Sequence, residues 1–207
     1  MILTSDYYIP KNKKRQEEYD YCISKVLEND MITKIVYFTQ GEFKHKHEKI
    51  TFVKTEKRPT YEDFFNYFND NHKNEVIILS NLDIYFDDTL NLVNNIDMNN
   101  TILALTRYDL KNKKWVLYNE NNVAQASQDT WIFKTPVDVY NMSCKFTLGI
   151  PGCDNRIAFE FKKLDYKVIN NSLSIKTYHK HESNHRTWEL EKIKPVSGPY
   201  HYIKTTK

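Results

Sequence analysis

Glycine is scarce in this sequence, with only Gly41, Gly149, Gly152 and Gly198 among 207 residues. The dinucleotide-binding fingerprint and the P-loop both need more closely spaced glycines than these, so neither motif is present. This excludes the usual dinucleotide oxidoreductases and P-loop kinases. A nucleotide bound by this chain would need another partner for its phosphates, and a divalent metal ion is the natural one.

Cysteines are few and long apolar runs are missing. The three cysteines are an odd number without C-x-x-C spacing, which argues against a disulfide framework or a zinc knuckle and indicates a reducing compartment. No apolar run approaches the ~18 residues of a membrane span, and the first residues lack the basic and apolar regions of a signal peptide. We therefore expect a cytoplasmic protein without a membrane span.

Charge of one sign is not in excess either. Thirty Lys and Arg oppose 27 Asp and Glu, for a formal net charge of +3, which predicts a mixed surface and no nucleic-acid partner. The basic clusters at 11–15 and 111–114 are interpreted as solvated charge. Aromatic residues are abundant, with 15 Tyr and 11 Phe, and they can fill the core of one domain of this length.

Strand and helix patterns alternate along the chain. The first half predicts strands at 2–4, 34–39, 50–53 and 76–79, and helices at 16–27 and after an N-cap at Thr60. The second half predicts strands at 101–105, 115–118, 130–133, 167–169 and 174–178, and a helix at 154–164. This pattern is typical of α/β proteins. We expect a single α/β domain over 1–207, with a mostly parallel central sheet flanked by helices and a small additional antiparallel element.

The buried strand at 76–79 leads into Asn81-x-Asp83. In open α/β sheets ligands lie at the carboxyl ends of strands, and these hard oxygens suit Mg²⁺ or Mn²⁺ shared with a diphosphate. An acidic turn that caps the next segment is the alternative. His179 and His181 end a later strand and face the same side, since they are two residues apart. We predict a metal site formed by Asp83 with His179, or with His181 in its place.

Two further places suit a nucleotide. Thr4, Ser5 and Asp6 end the first strand, where a base and ribose would be held; a simple exit from strand to turn is the alternative. Arg58 precedes the helix that Thr60 caps, and an arginine beside a helix N-terminus suits a diphosphate. A solvated arginine is the alternative there.

Two more arginines are candidates for ligand binding. Arg107 follows the strand at 101–105 and would bind phosphate or sugar, unless it only forms an ion pair with Asp109. Arg186 would contact phosphate, unless it is a surface residue.

Five segments, taken together, resemble the GT-A glycosyltransferases. Asn81-x-Asp83 is similar to their D-x-D region, with a neutral Asn at the first acidic position. The other four are Thr4-Ser5-Asp6-Tyr7-Tyr8, Ser127-Gln128-Asp129-Thr130-Trp131, Gly149-Ile150-Pro151-Gly152-Cys153-Asp154-Asn155-Arg156 and Lys176-Thr177-Tyr178-His179-Lys180-His181. Their order and spacing are similar to a subgroup that includes the N-terminal domain of a chlorella-virus glycosyltransferase acting on capsid glycans.

The resemblance implies a GT-A-like fold with a nucleotide-binding half at 1–100 and an acceptor and catalytic half at 101–207. It implies a glycosyltransferase dependent on Mn²⁺ or Mg²⁺ that moves a sugar from a UDP-linked donor to a glycan or other hydroxyl acceptor, in the host cytoplasm if the protein is viral. The implied donor-binding residues are Thr4, Ser5, Asp6, Tyr7, Arg58, Asn81, Asp83 and Arg186. The implied sugar- and acceptor-binding residues are Arg107, Gln128, Asp129, Trp131 and Asn155.

A carboxylate must face the acceptor side of the sugar, and Asp129 and Asp154 are the candidates. Asp154 follows a tight Pro-Gly turn and opens a helix, so it is either the N-cap or a carboxylate that the helix N-terminus keeps ionised. Asp129 lies beside Gln128 and Trp131, just before a strand, and would hold sugar hydroxyls. We predict that Asp154 is the catalytic carboxylate and that Asp129 binds sugar.

Two other functions remain open. A nucleotidyltransferase needs the same metal and a similar sheet, but it usually has a glycine-rich basic loop after its first strand, where this chain has Asp6-Tyr7-Tyr8. A non-catalytic carbohydrate- or protein-binding module would use the aromatic residues as a platform. Such a module would show no metal-dependent nucleotide binding.

Overall fold

A seven-stranded sheet forms the centre of the computed structural model, which describes residues 1–43, 45–118, 127–182 and 194–206. The strands of the chain are β1 (Ile2–Tyr7), β2 (Lys34–Thr39), β3 (Ile50–Lys54), β4 (Val76–Ser80), β5 (Ile84–Phe86), β6 (Thr101–Leu105), β7 (Tyr108–Lys111), β8 (Lys114–Leu117), β9 (Thr130–Lys134), β10 (Lys167–Ile169) and β11 (Thr177–His179). The central order is β10-β6-β9-β4-β1-β2-β3, and only β9 runs antiparallel to its neighbours. The predicted α/β fold with a mostly parallel sheet is confirmed.

Helices cover both faces of this sheet. They are α1 (Lys13–Glu28), α2 (Tyr61–Asn71), α3 (Cys153–Lys163) and a 3₁₀ helix (Asp88–Asn95). Alternate residues of β2 supply the two cores: Val36 and Phe38 pack with α2 and α3, whereas Ile35 and Tyr37 pack with α1 and the 3₁₀ helix. A strand buried on both faces is apolar at every position, which explains the continuous apolar runs of the sequence.

The two predicted helix starts have different outcomes. Thr60 is the N-cap of α2 and forms a reciprocal capping box with Asp63, as predicted. The helix predicted to begin at Asp154 instead begins at Cys153, and Gly152 occupies the N-cap position without a side-chain hydrogen bond. The interpretation of Asp154 as an N-cap is therefore wrong, and its carboxyl group is available for other contacts.

A second, four-stranded sheet lies beside the first, in the order β5-β11-β7-β8. Two of its three pairings are antiparallel, and β11 pairs with β7 in parallel. It corresponds to the small antiparallel element predicted from the sequence. However, β5 and β7 were not predicted, and β11 covers Thr177–His179 where a strand at 174–178 was expected. Its position matters because β11 carries His179 and β7 carries Asp109.

The sheet order places a crevice at one edge. From β1 the chain continues to β2 and β3 on one side and then returns to β4 on the other side of β1. Ligands of open α/β sheets bind outside the carboxyl ends of the strands at such a reversal of strand order. The ends of β1 and β4 carry Ser5, Asp6, Asn81 and Asp83, so the predicted donor-binding segments meet there.

The described residues bear on two expectations, the lack of a membrane span and the lack of a disulfide framework. Among the described residues, no helix combines the length and apolar character needed to cross a membrane. Cys22, Cys144 and Cys153 are buried free thiols, in agreement with the prediction that the chain has no disulfide framework.

The segment 194–206 crosses the loop that precedes α3. The backbone N–H of Val196 donates to the carbonyl of Pro151 at 2.9 Å, and that of His201 donates to the carbonyl of Asn155 at 2.9 Å. Gly152 has φ of +82°, and a Cβ atom there would lie 2.7 Å from the carbonyl oxygen of Val196. Only glycine fits this conformation and this close approach.

We expect Gly152→Ala to lower the free energy of unfolding by about 1–3 kcal/mol, because the new Cβ meets both a left-handed backbone and the Val196 carbonyl. Urea denaturation measures this change. Gly41→Ala is the control, since a Cβ at Gly41 meets nothing within 4 Å, and it should change stability by no more than ~0.5 kcal/mol. Equal effects of the two variants would contradict the tight packing of the loop.

Candidate functional site

A cleft of about 390 Å³ opens at the carboxyl edge of the central sheet. Its walls come from the ends of β1 and β4, the start of α1, the residues before β9, the loop before α3 and the end of β11. Three arginine–aspartate pairs lie along it: Arg15 with Asp83, Arg58 with Asp6, and Arg107 with Asp129. Polar groups from distant parts of the sequence therefore converge in one place.

Asp83 is a buried carboxylate with several positive neighbours. Its Oδ2 accepts a short hydrogen bond from Nη2 of Arg15 and lies 3.0 Å from Nε2 of His179. Arg15 also donates from Nη1 to Glu18 at 2.8 Å. Burial would raise the pKa of Asp83, but the charges of His179 and Arg15 hold it well below its usual range. Asp83 is consequently ionised at any physiological pH.

His179 lies between two carboxylates. Its Nδ1 is 2.9 Å from Oδ1 of Asp109, and its Nε2 faces Asp83. Burial opposes the charged form, but Asp83 and Asp109 raise the pKa of His179 to about 9. Burial and the charge of Arg15 lower the pKa of His181 to about 4. His179 is an imidazolium near neutral pH, and His181 is neutral.

The predicted metal ligands are brought together. One ligand atom from each of Asp83, His179 and His181 lies within 4.8 Å of the others. A carboxylate and two imidazoles suit a divalent metal such as Mn²⁺, and Asp109 would orient His179 through Nδ1 while Nε2 faces the ion. The residues would fit a metal ion if His179 lost its proton and Arg15 released its hydrogen bond to Oδ2 of Asp83.

Arg107 extends the polar contacts across the cleft. Its Nε donates to Asp109 at 3.0 Å and its Nη1 donates to Asp129 at 2.9 Å. Asn81 in turn donates from Nδ2 to Oδ1 of Asp129 at 2.9 Å. The ion pair with Asp109 that the sequence left open is thus formed, and it is partly buried. A continuous series of contacts therefore runs from Arg15 to Asn81. Between them lie Asp83, His179, Asp109, Arg107 and Asp129, in that order.

Arg58 and Asp6 form a further group of polar side chains in the cleft. Nε of Arg58 donates to Asp6 at 2.8 Å, and Nη2 donates to the carbonyl of Leu148 at 2.7 Å. Burial raises the pKa of Asp6, although Arg58 opposes the shift. The buried Oγ of Ser5 has no hydrogen-bond partner among the described residues. Buried polar groups are normally satisfied, so this hydroxyl is available to a ligand.

Asp154 faces the cleft from the first turn of α3. Burial and the negative charge of Asp129 raise the pKa of Asp154 to about 8, and Sγ of Cys153 donates to Asp154 Oδ1 at 3.3 Å. The prediction that the helix N-terminus keeps Asp154 ionised is wrong, because desolvation and the Asp129 charge outweigh the helix dipole. Asp154 carries a proton near neutral pH.

Most of the predicted site residues line the cleft. Those that do are Ser5, Asp6, Arg58, Asn81, Asp83, Arg107, Asp129, Asp154, His179 and His181. Those that do not are Thr4, Tyr7, Gln128, Trp131 and Asn155, all of them buried. Arg186 lies outside the described residues.

The residues that miss the cleft have structural contacts instead. Oγ1 of Thr4 donates to the carbonyl of Val36 at 2.7 Å. Tyr7 packs in the core, and Trp131 stacks on Phe161 beneath the sheet. Thr4, Tyr7 and Trp131 are thus part of the packing of the central sheet, and none of them lines the cleft.

The remaining two of those residues support the cleft through their backbones. The backbone N–H of Gln128 hydrogen bonds to Asp154, and the carbonyl of Asn155 accepts from His201. Both residues are buried and neither lines the cleft.

Sequence reasoning missed Arg15 and Asp109. The cluster containing Arg15 was interpreted as solvated, but Arg15 is only 7% exposed and faces the cleft. A signal was present, since Arg15 lies one helical turn before Tyr19 on the buried face of α1. No such signal existed for Asp109, because its role depends on the pairing of β7 with β11.

Comparison with known proteins shows a likeness of fold. No family model matches the sequence, and no curated protein matches it. Among solved structures, the chain is similar to the 2-C-methyl-D-erythritol 4-phosphate cytidylyltransferase of Francisella tularensis, with a TM-score of 0.51 over 92% of this chain and 94% of that chain. The sequence identity is 10%, so the likeness supports the α/β fold alone. The resemblance to the chlorella-virus glycosyltransferase gains no support from these comparisons.

We expect Asp83→Asn to lower the free energy of unfolding by about 3–5 kcal/mol, because Arg15 is then a buried cation without its main partner. Arg15→Met in the same background should recover part of this loss, and urea denaturation of the two single variants and the double variant measures the coupling. Glu28→Gln is the control, since its pair with Lys25 is exposed and contributes less than ~1 kcal/mol. Additive losses from the two single changes would show that the pair is not coupled.

The pKa of His179 predicts a dependence of stability on pH. The pKa of His179 is about 9 in the folded protein and about 6.5 in the unfolded chain. Protonated His179 therefore contributes its full share to the free energy of unfolding below about pH 6.5, and this contribution disappears as pH rises through about 9. The difference in unfolding free energy between wild type and His179→Asn should be large near pH 6 and small near pH ~9.5. Comparing variants cancels the contribution of Asp154. A difference that does not change with pH would refute the raised pKa of His179.

Proposed function

We propose that this chain is a divalent-metal-dependent glycosyltransferase that moves a sugar from a UDP-linked donor to a hydroxyl of a glycan or another acceptor. The observation that carries the proposal is the group Asp83, His179 and His181 at the carboxyl edge of the sheet. It lies in the same cleft as the unsatisfied Ser5 hydroxyl and Arg58. A metal group beside a nucleotide-sized crevice fits a donor with a diphosphate.

The donor would occupy the part of the cleft formed by residues 1–100. Ser5 and Asp6 would hydrogen bond to the nucleoside, and Arg58 would face the diphosphate. A bound divalent cation would neutralise the charge that develops on the leaving diphosphate. Arg107 and Asp129, from the acceptor and catalytic half at 101–207, would hold sugar hydroxyls.

Asp154 would act on the acceptor. When ionised, its carboxylate accepts the proton of the acceptor hydroxyl while the acceptor oxygen bonds to the sugar carbon and the bond to the diphosphate oxygen breaks. The raised pKa of Asp154 places this group close to the operating pH, where a general base is most effective. The Cys153 thiol and the Gln128 backbone N–H would keep the carboxyl group in position.

A nucleotidyltransferase is the second candidate. The likeness in fold to a cytidylyltransferase favours it. The end of β1 counts against it, because Asp6-Tyr7-Tyr8 stands where a glycine-rich basic loop is usual. A non-catalytic binding module is the third possibility and would give no turnover.

One experiment separates the three. The protein is incubated with Mn²⁺ and a panel of UDP-sugars, and in parallel with nucleoside triphosphates and sugar phosphates. Release of UDP from one UDP-sugar without an acceptor supports the glycosyltransferase and identifies the donor. Release of pyrophosphate from a triphosphate instead would establish the nucleotidyltransferase. No turnover in either series, together with metal-independent glycan binding, would establish the binding module.

We expect kcat/KM to rise as pH rises through about 8, because the ionised form of Asp154 becomes more abundant. Asp154→Asn should lose at least ~10²-fold in turnover and also lose this pH-dependent limb, while its UDP affinity in calorimetry stays unchanged. Asp70→Asn, at an exposed position of α2, is the matched control and should keep both. Near-normal turnover of Asp154→Asn would remove Asp154 from the chemistry.

A further inference from the structure

A second cavity of about 600 Å³ adjoins the cleft. The two cavities share Ile150, which lies in the loop before α3. We call the second cavity the basic groove; its apolar wall includes Phe146, Ile150 and Val196, and its cations are Lys145, Arg156 and Lys194. The loop that separates the two cavities is thus a common wall rather than a barrier between distant sites.

The basic groove has an unbalanced charge. Among the described residues that line it, three carry positive charge and none is acidic. Lys145 is highly exposed and meets Glu62 only at 3.7 Å, and Lys194 is also exposed. These two ammonium groups are therefore available to an anion in the groove.

Arg156 adds a donor that the protein does not use. Its guanidinium donates to Glu160 at 2.5 Å and to the carbonyl of Gly198 at 2.7 Å. Its Nε is buried and has no hydrogen-bond partner among the described residues. Buried donors without partners are uncommon in folded proteins, and this one belongs to a residue that lines the groove.

We propose that the basic groove binds the acceptor, and that the acceptor carries an anionic group, a phosphate or a carboxylate, next to an apolar portion. This rests on the proposed transferase function. Asp154 and Arg156 lie two residues apart at the start of α3, with one lining the cleft and the other the groove. An acceptor held by Arg156, Lys145 and Lys194 and laid across Ile150 would present a hydroxyl to Asp154.

Backbone amide NMR titration tests the proposal with two anionic probes, inorganic phosphate and glucuronic acid, and with methyl glucoside as a neutral probe. The titrations with the anionic and the neutral probes are made with and without UDP and Mn²⁺, so that binding to Arg58 in the cleft is recognised. We expect at least one anion to shift amide signals of residues 143–146 and of Lys194, Val196 and Ser197, with or without UDP. Which anion binds more tightly distinguishes a phosphate from a carboxylate acceptor.

Charge variants provide the second arm. The double variant Lys145→Gln, Lys194→Gln should weaken binding of the anion by about 3- to 10-fold. The control double variant Lys111→Gln, Lys114→Gln, at exposed positions of the β7–β8 hairpin, should leave it unchanged. Anion shifts confined to the cleft, equal binding of methyl glucoside, or equal effects of the two double variants would each overturn the proposal.

Donor hydrolysis keeps this inference separate from the proposed function. Hydrolysis of the UDP-sugar without an acceptor should be unchanged in the Lys145→Gln, Lys194→Gln variant, because neither residue lines the cleft. Anion binding in the groove of a protein that hydrolyses no UDP-sugar would refute the transferase and with it the acceptor role. Normal hydrolysis without anion binding in the groove would refute only the acceptor proposal.

Discussion

The buried negative charge of Asp83 is the constraint on which the cleft depends. An isolated buried carboxylate is strongly unfavourable, so positive groups must be brought to it. Arg15 comes from the first turn of α1 and His179 from β11, and both contact Oδ2 of Asp83 after the end of β4. A single carboxylate therefore ties the first helix and the small sheet to the edge of the large one. Within the small sheet, Asp109 of the neighbouring strand β7 holds the other nitrogen of His179.

The contacts of Asp83 and His179 connect the charged side chains along the cleft. A cation that binds Asp83 competes with Arg15 and with the proton of His179, so each of these groups must find a new partner. A guanidinium released in this way would lie next to the site where a diphosphate is expected. Metal and donor would thus be expected to bind cooperatively.

The sequence predicted what depends on local pattern and failed where distant groups meet. Alternating strands and helices placed Asn81-x-Asp83 at a strand end. The two-residue spacing of His179 and His181 predicted only that they share one side of their strand, and the resemblance to GT-A enzymes brought them to the metal site. The burial of Arg15 required knowing that its helix packs against that edge, which only its spacing from Tyr19 hinted at. The protonation of Asp154 was mispredicted because a helix N-terminus is a local feature, whereas desolvation and the charge of a distant carboxylate are properties of the folded cleft.

The wall shared by the cleft and the basic groove is built from two parts of the chain that are synthesised at different times. Its loop is made early relative to Val196, whose backbone N–H binds Pro151 and whose carbonyl packs on Gly152. A nascent chain that ends at α3 already contains every strand of the central sheet except β10. It does not yet contain the segment 194–206, which covers this loop. The wall between the cleft and the basic groove is consequently completed only when the segment 194–206 has been made, after all of the described residues that line the cleft.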